Sequence, residues 1–284
     1  MKNILGSLTA LAFLVILNTT NLFAVNTKDT RLLAEPAISA KNIAFIYAED
    51  LWVANLDGSN PRRLTVDEGI ESAPMFSPDG SLIAFSAQYD GNTDVFIVPT
   101  EGGIPNRLTW HPARDWVRAF TTDGKNVLFA SKRYSFTRRY SQLFTVPVAG
   151  GFPKQLDIPN AWRASYSPDG KSMAYTPIQG RYKQWKNYRG GTVATILLFS
   201  FTDSSVVKID QPEGGCNDTD PMWIGDNVYF RSDRNGEFNL FSYATTTKKI
   251  TQLTKFEDFP IIGSTHGNGN IIFEQAGYLH TFDP

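Results

Sequence analysis

Two stretches of the chain set cations among aromatic rings. One is Lys132-Arg133-Tyr134-Ser135-Phe136-Thr137-Arg138-Arg139-Tyr140. The other is Arg181-Tyr182-Lys183-Gln184-Trp185-Lys186-Asn187-Tyr188-Arg189. A guanidinium is a planar fork of donors that grips a carboxylate through two parallel hydrogen bonds and lies well against an aromatic face. Residues of these types, this close together, suit an anion site. They equally suit two solvated loops whose arginines lay their aliphatic stems along the surface. The sequence leaves both readings open.

Other reactive groupings are scarce. The three histidines, His111, His266 and His280, sit in no metal-ligand spacing. Gly263-Ser264-Thr265-His266-Gly267 has the wrong spacing for a nucleophile elbow and is expected to be a loop. No nucleophile paired with a base is legible, and neither a cofactor nor a metal is expected. Residues 89–94 and 232–237 resemble pieces of calcium loops but lack the oxygen ligands of one, so both read as turns between strands. Cys216 is the only cysteine, which leaves no intramolecular disulfide and no thiolate metal cluster; it reads as a small buried apolar residue. Asp79, Asp123 and Asp169 recur like an array of carboxylates, each in a D-G pair that reads as turn chemistry.

The elements that must hold these residues are repeats. Phe76 to Ser86 reads FSPDGSLIAFS, and Tyr166 to Thr176 reads YSPDGKSMAYT. Worn copies occur at Ser39 to Phe45, Phe120 to Phe129, Trp223 to Phe230 and His266 to Phe273. Each copy closes on an aromatic: Phe45, Phe85, Phe129, Tyr175, Phe230 and Phe273. A short apolar run follows each copy, as in Val95-Phe96-Ile97-Val98. In most repeats a third element then ends in LT or QL: DGSNPRRLT, EGGIPNRLT, AGGFPKQL and KKITQLT. Pro suits the second position of a turn, and Gly the position that needs φ above zero. The runs between are β-branched and aromatic, without helical periodicity. Six units of about 40 to 50 residues, each of four short strands, predict an all-β, six-bladed β-propeller of antiparallel blades. The expected blades are residues 31–70, 71–113, 114–160, 161–213, 214–258 and an incomplete 259–284. In such blades the SPDG and GG turns share one face of the ring, and the loops between second and third strands, including both basic stretches, share the other.

The chain has 284 residues, 42% hydrophobic, with 27 basic and 28 acidic side chains and a formal net charge of −1. That balance offers no general attraction to nucleic acid or to an anionic membrane. Lys2, the apolar run Ile4 to Leu17 and Ala24 read as a secretory signal peptide over residues 1–24, so an exported, periplasmic or secreted product without a membrane anchor is expected. The sixth repeat lacks its outer strand, so the sequence reads as the front of a longer protein.

The runs DLWVANLDGSNPRRLT, FSPDGSLIAFSAQYDGNTDVFIVPTEGGIPNRLTWHP and TTDGKNVLFASKR resemble the N-terminal six-bladed propeller of tricorn-type proteases. SPDG with GG-x-P-x-x-LT is shared with TolB-like propellers; AQYDGNTDVFIVPTEGG followed by RLTWHP is more specific. The resemblance implies downstream domains in the same polypeptide (a second propeller, a PDZ module and a serine peptidase domain), assembly as a possible homo-oligomer, and peptides or unfolded proteins as partners. It implies that an arginine pair holds the C-terminal carboxylate of a peptide. Arg138 and Arg139 are the best match, with Arg133 in the same loop, and no catalytic residue carries over. The alternative is a TolB-like periplasmic binding propeller with no enzyme attached.

Overall fold

Each SPDG-type turn is built by its own aspartate. Asp79 Oδ1 accepts hydrogen bonds from Ser77 Oγ at 2.6 Å and from the Ser81 amide at 3.0 Å. Asp123 repeats this with Thr121 and Lys125, and Asp169 with Ser167 and Lys171. The glycine that follows each, at 80, 124 and 170, has φ near +70° (73, 70 and 69), which a side chain would strain. Hydrogen bonds from these hydroxyls and amides lower the pKa of all three carboxylates, that of Asp79 to about 2. These residues are turn formers.

The computed structural model describes residues 30–136, 140–180, 185 and 187–284. The expected signal peptide and its cleavage after Ala24 lie outside the described residues. Residues 31–284 form one unit of six sheets. Blade one is β1 (Ala34–Ile38), β2 (Asn42–Tyr47), β3 (Asp50–Asn55) and β4 (Arg62–Arg63). Blade two is β5 (Glu71–Phe76), β6 (Leu82–Ala87), β7 (Asp94–Pro99) and β8 (Asn106–Arg107). Blade three is β9 (Asp115–Phe120), β10 (Asn126–Ser131), β11 (Gln142–Pro147) and β12 (Lys154–Gln155). Blade four is β13 (Arg163–Tyr166), β14 (Ser172–Thr176), β15 (Leu197–Ser200) and β16 (Val206–Lys208). Blade five is β17 (Asp218–Ile224), β18 (Asn227–Ser232), β19 (Asn239–Ala244) and β20 (Ile250–Gln252). Blade six has three strands, β21 (Ile261–Gly267), β22 (Asn270–Gln275) and β23 (Tyr278–Phe282). Every blade is antiparallel and consecutive in the chain, so the molecule is the six-bladed propeller that the repeats predict.

The LT ending is a clamp between third and fourth strands. Thr109 Oγ1 accepts the Val95 amide at 3.0 Å, and Thr65 and Thr254 take the amides of Leu51 and Leu240 in the same way. The arginine or glutamine two positions earlier folds onto the threonine carbonyl: Arg63 to Thr65, Arg107 to Thr109, Gln252 to Thr254. The closing aromatic of a repeat stands opposite an aromatic on the third strand. Phe85 pairs with Phe96, Phe129 with Phe144 and Phe230 with Phe241, with ring centroids 5.6 to 6.1 Å apart. Apolar layers fill the space between blades, and the layer between blades six and one joins Ile272 to Ile38, Ile43, Phe45 and Ala54.

Two expectations need comment. Residues 263–267 are strand, not loop: they belong to β21, the innermost strand of blade six. Gly267 is there because the backbone of blade one comes so close that a Cβ would sit 1.9 Å from the Ile38 carbonyl oxygen. Cys216 is wholly buried, as expected, and burial raises its thiol pKa to about 12.

Candidate functional site

In the basic loop of blade three the second cation, Arg133, turns inward. Arg133 Nη2 lies 2.6 Å from Asp115 Oδ2, its Nε donates to Ser131 Oγ, and its guanidinium lies 5.1 and 4.9 Å from the ring centroids of Phe129 and Phe144. Blade five repeats the arrangement with Arg234 on Asp218 and Ser232, over Phe230 and Phe241. A wholly buried carboxylate must be paired, and these arginines do the pairing. Arg133 is thus paired within its blade. Arg189, from the second basic stretch, is bound to the buried Asp233 at 2.8 Å. Tyr134, Phe136 and Trp185 are exposed around these loops. Arg138 and Arg139 lie outside the described residues, as do Arg181, Lys183 and Lys186.

The calcium-like stretches are held by arginines. Asp90 and Asp94 both bind Arg107, at 2.9 and 2.6 Å, and Asp233 binds Arg189. Among the described residues no three His, Cys, Asp or Glu gather as a metal site.

The innermost strands form a second feature, one the sequence reading missed. A cavity of about 480 Å³ runs into the axis of the ring and is lined by residues of all six innermost strands. Its mouth carries Ser77-Pro78, Thr121-Thr122 and Ser167-Pro168, so it opens on the face of the SPDG turns, opposite the basic loops. Bulges shape it. The pairing register skips Glu35-Pro36, Ala73-Pro74, Arg118, Asp220-Pro221 and Ile262, and Glu35, Ala73 and Asp220 have φ of 50, 52 and 51°. A bulge re-aims side chains and tolerates a proline that cannot join the ladder. Here it brings Arg118 and Asp220 to the cavity wall.

The cavity charges are partly matched. Asp220 Oδ2 accepts Arg231 Nε at 2.6 Å, with both side chains nearly wholly buried, and its Oδ1 lies 3.5 Å from Arg163 Nε. Arg118 donates from Nε to the Trp162 carbonyl at 2.5 Å and from Nη1 to the Val117 carbonyl at 3.1 Å, over the Trp162 ring at 4.2 Å. Burial lowers the pKa of Arg118 well below the ordinary range, and the Arg163 charge adds to this. Burial also holds His266 at about 4, so its imidazole is neutral at neutral pH.

The fold brings together one pair that no sequence motif marks. Ser165 Oγ is 3.4 Å from His266 Nε2, across 101 residues of chain. That separation is long for a bond to a hydroxyl. The same oxygen accepts the Trp223 amide at 2.9 Å, linking blades four and five as Ser86 links two and three through the Val117 amide. The pair is a contact in the channel wall.

A ring of six antiparallel units, five of four strands and the last of three, with a polar axial cavity and aromatic-basic loops on the face opposite its mouth, defines a six-bladed β-propeller of the kind that presents channels and rims to ligands. The chain belongs to the family described as the tricorn protease N-terminal beta propeller domain, which matches residues 30–284. It is 30% identical over 242 residues to tricorn protease homolog 1 of Streptomyces coelicolor, a match covering 85% of this chain and 22% of that protein. The crystal structure of the tricorn protease superposes with a TM-score of 0.80 at 23% identity, covering 90% of this chain and 25% of that one. A TolB structure from Agrobacterium tumefaciens gives 0.65 at 18% identity, covering 89% and 91%. The chain spans about a quarter or less of the length of curated tricorn relatives that it matches.

Proposed function

We propose that this propeller handles peptide substrates for a tricorn-type serine peptidase whose catalytic domain lies downstream in the same polypeptide. The observation that carries this reading is the match of the whole propeller to a family defined by its place at the front of that protease. The superposition on the tricorn protease, 0.80 against 0.65 for TolB, favours it over a free-standing binding propeller. In this reading Arg138 and Arg139 grip the terminal carboxylate of a peptide, and the exposed Tyr134, Phe136 and Trp185 supply apolar surface nearby. Peptides, the downstream domains and further copies of the protein are its partners.

The test uses the complete protease. A shielded charge-assisted hydrogen bond contributes about 1.5–3 kcal/mol, so Arg138→Ala or Arg139→Ala should slow cleavage of peptides with a free C-terminus about ten- to a hundredfold. Peptides with an amidated C-terminus should change little. Equal slowing of both would overturn the carboxylate role. The reading includes export, on the strength of Lys2, the apolar run and Ala24. N-terminal sequencing of the mature protein should then begin near Val25, and an intact Met1 would refute export by this route.

A further inference from the structure

We propose that the axial cavity seats a carboxylate on Arg118, with Ser264 on the facing wall as a second donor. Two observations carry this. Arg118 and Ser264 are each only 5% exposed, and both line the cavity. Arg118 Nη2 and Ser264 Oγ are buried polar atoms without a hydrogen-bond partner. Folded proteins rarely leave a buried donor unsatisfied, least of all a cationic one, because desolvation is then uncompensated. Nε and Nη1 of Arg118 are held by two carbonyls and its face by Trp162, so the guanidinium is fixed and only Nη2 is left to a ligand. Blade three, which carries Arg118, stands opposite blade six, which carries Ser264.

The charges select the ligand. The charged residues that line the cavity are Arg118, Arg163 and Asp220, and Arg231, behind the wall, is bound to Asp220. Two guanidinium groups against one carboxylate leave one positive charge in surplus in the lining. One surplus charge suits a monoanion. A phosphate dianion would add a second negative charge beside Asp220. A carboxylate fits, and a cavity of about 480 Å³ is of the size that holds small ligands. The C-terminus of a short peptide is the occupant we assign. This rests on the peptide-handling reading but invokes the opposite face of the ring from the loop arginines.

The experiment is calorimetric titration of the full polypeptide with N-acetyl-trialanine as the free acid and as the C-terminal amide, with acetate as competitor. The free acid should bind at least tenfold more tightly than the amide, and acetate should compete. Arg118→Gln should abolish the difference. Ser264→Ala removes a hydroxyl that holds nothing in the fold, so it serves even if Arg118→Gln does not fold; it should weaken the acid about three- to tenfold. Equal binding of acid and amide, or an unchanged acid affinity in Ser264→Ala, overturns the proposal. Saturation by phosphate without competition from acetate overturns it too, and binding of acetate but not of the peptide overturns the assigned occupant. Binding is measured rather than cleavage, so this result and that of the Arg138 and Arg139 variants stand apart.

Discussion

Arg133 and Asp115 meet at 2.6 Å in the interior of blade three, the carboxylate wholly buried and the guanidinium nearly so. Removing one partner of such a pair strands the other charge in a dry site. Arg133→Met should therefore lower unfolding free energy by about 3–5 kcal/mol. Replacing both, as in Arg133→Met with Asp115→Leu, should recover most of the loss. Urea denaturation of the two variants decides this, and a single variant as stable as the parent would show that the pair contributes nothing.

The threonine clamp gives a second expectation. Thr109→Val leaves the buried Val95 amide without its acceptor and should cost about 1–3 kcal/mol. Thr109→Ser keeps the oxygen and should cost less. Equal loss in both would put the effect in packing rather than in the hydrogen bond.

The clamp, the turns and the closing aromatics were all legible in the sequence because each is local. Their chemistry needs only residues a few positions apart, so it recurs as a motif. The axial cavity was not legible, because bulges shift the register. In DWVRAF simple alternation would set Arg118 on the face of Trp116 and Phe120, yet Val117 and Arg118 are both buried. The overlooked signal was the proline after Glu35, Ala73 and Asp220, one in each of three innermost strands. In β21 the glycines imitated a loop, although Gly263 stands beside a bulge and Gly267 beside a neighbouring backbone. The role of Arg133 was visible in part: FASKR and FRSDR are the same phrase in blades three and five. Nothing local, however, shows that the arginine of that phrase folds back onto the first residue of the blade.

Gly267→Ala probes the junction of blades six and one. Its Cβ would meet the Ile38 carbonyl at 1.9 Å, so the two backbones must separate. The substitution should cost about 1–3 kcal/mol or more, as overpacking does. Gly91→Ala, in open space at φ +76°, should cost only about 1 kcal/mol, through backbone strain. Similar melting temperatures for the two variants would contradict the close approach.

His266 sets a pH window. Its folded pKa of about 4 lies below the ordinary 6.5, so between these values the unfolded chain binds more protons than the folded one. Stability from this residue is complete above pH 6.5 and falls as pH drops toward 4. The turn aspartates act lower, with Asp79 losing its contribution between 3.8 and about 2. In His266→Gln, chemical denaturation between pH 7 and 4.5 should show a flatter pH dependence than in the parent. An imidazole that titrates near 6.5 by NMR would refute the assignment.

Among the described residues each blade is spun from one unbroken length of chain, so the first and last blades share no strand there. The ring is a bracelet with a clasp, not a hoop. Among the described residues the clasp is one apolar layer, the Arg31 guanidinium over the Tyr278 ring, the Thr265 hydroxyl donating to the Pro36 carbonyl at 2.6 Å, and the Glu35 amide donating to Glu274 at 3.4 Å. Heat or tension meets a full ladder inside any blade but only side chains and these few bonds at the clasp. Breathing therefore begins there, and amides of β1 and β21 should exchange with deuterium before those of β6 and β10. A molecule seated on the axis thus has a second way out, sideways through the parted clasp, besides the mouth of the cavity.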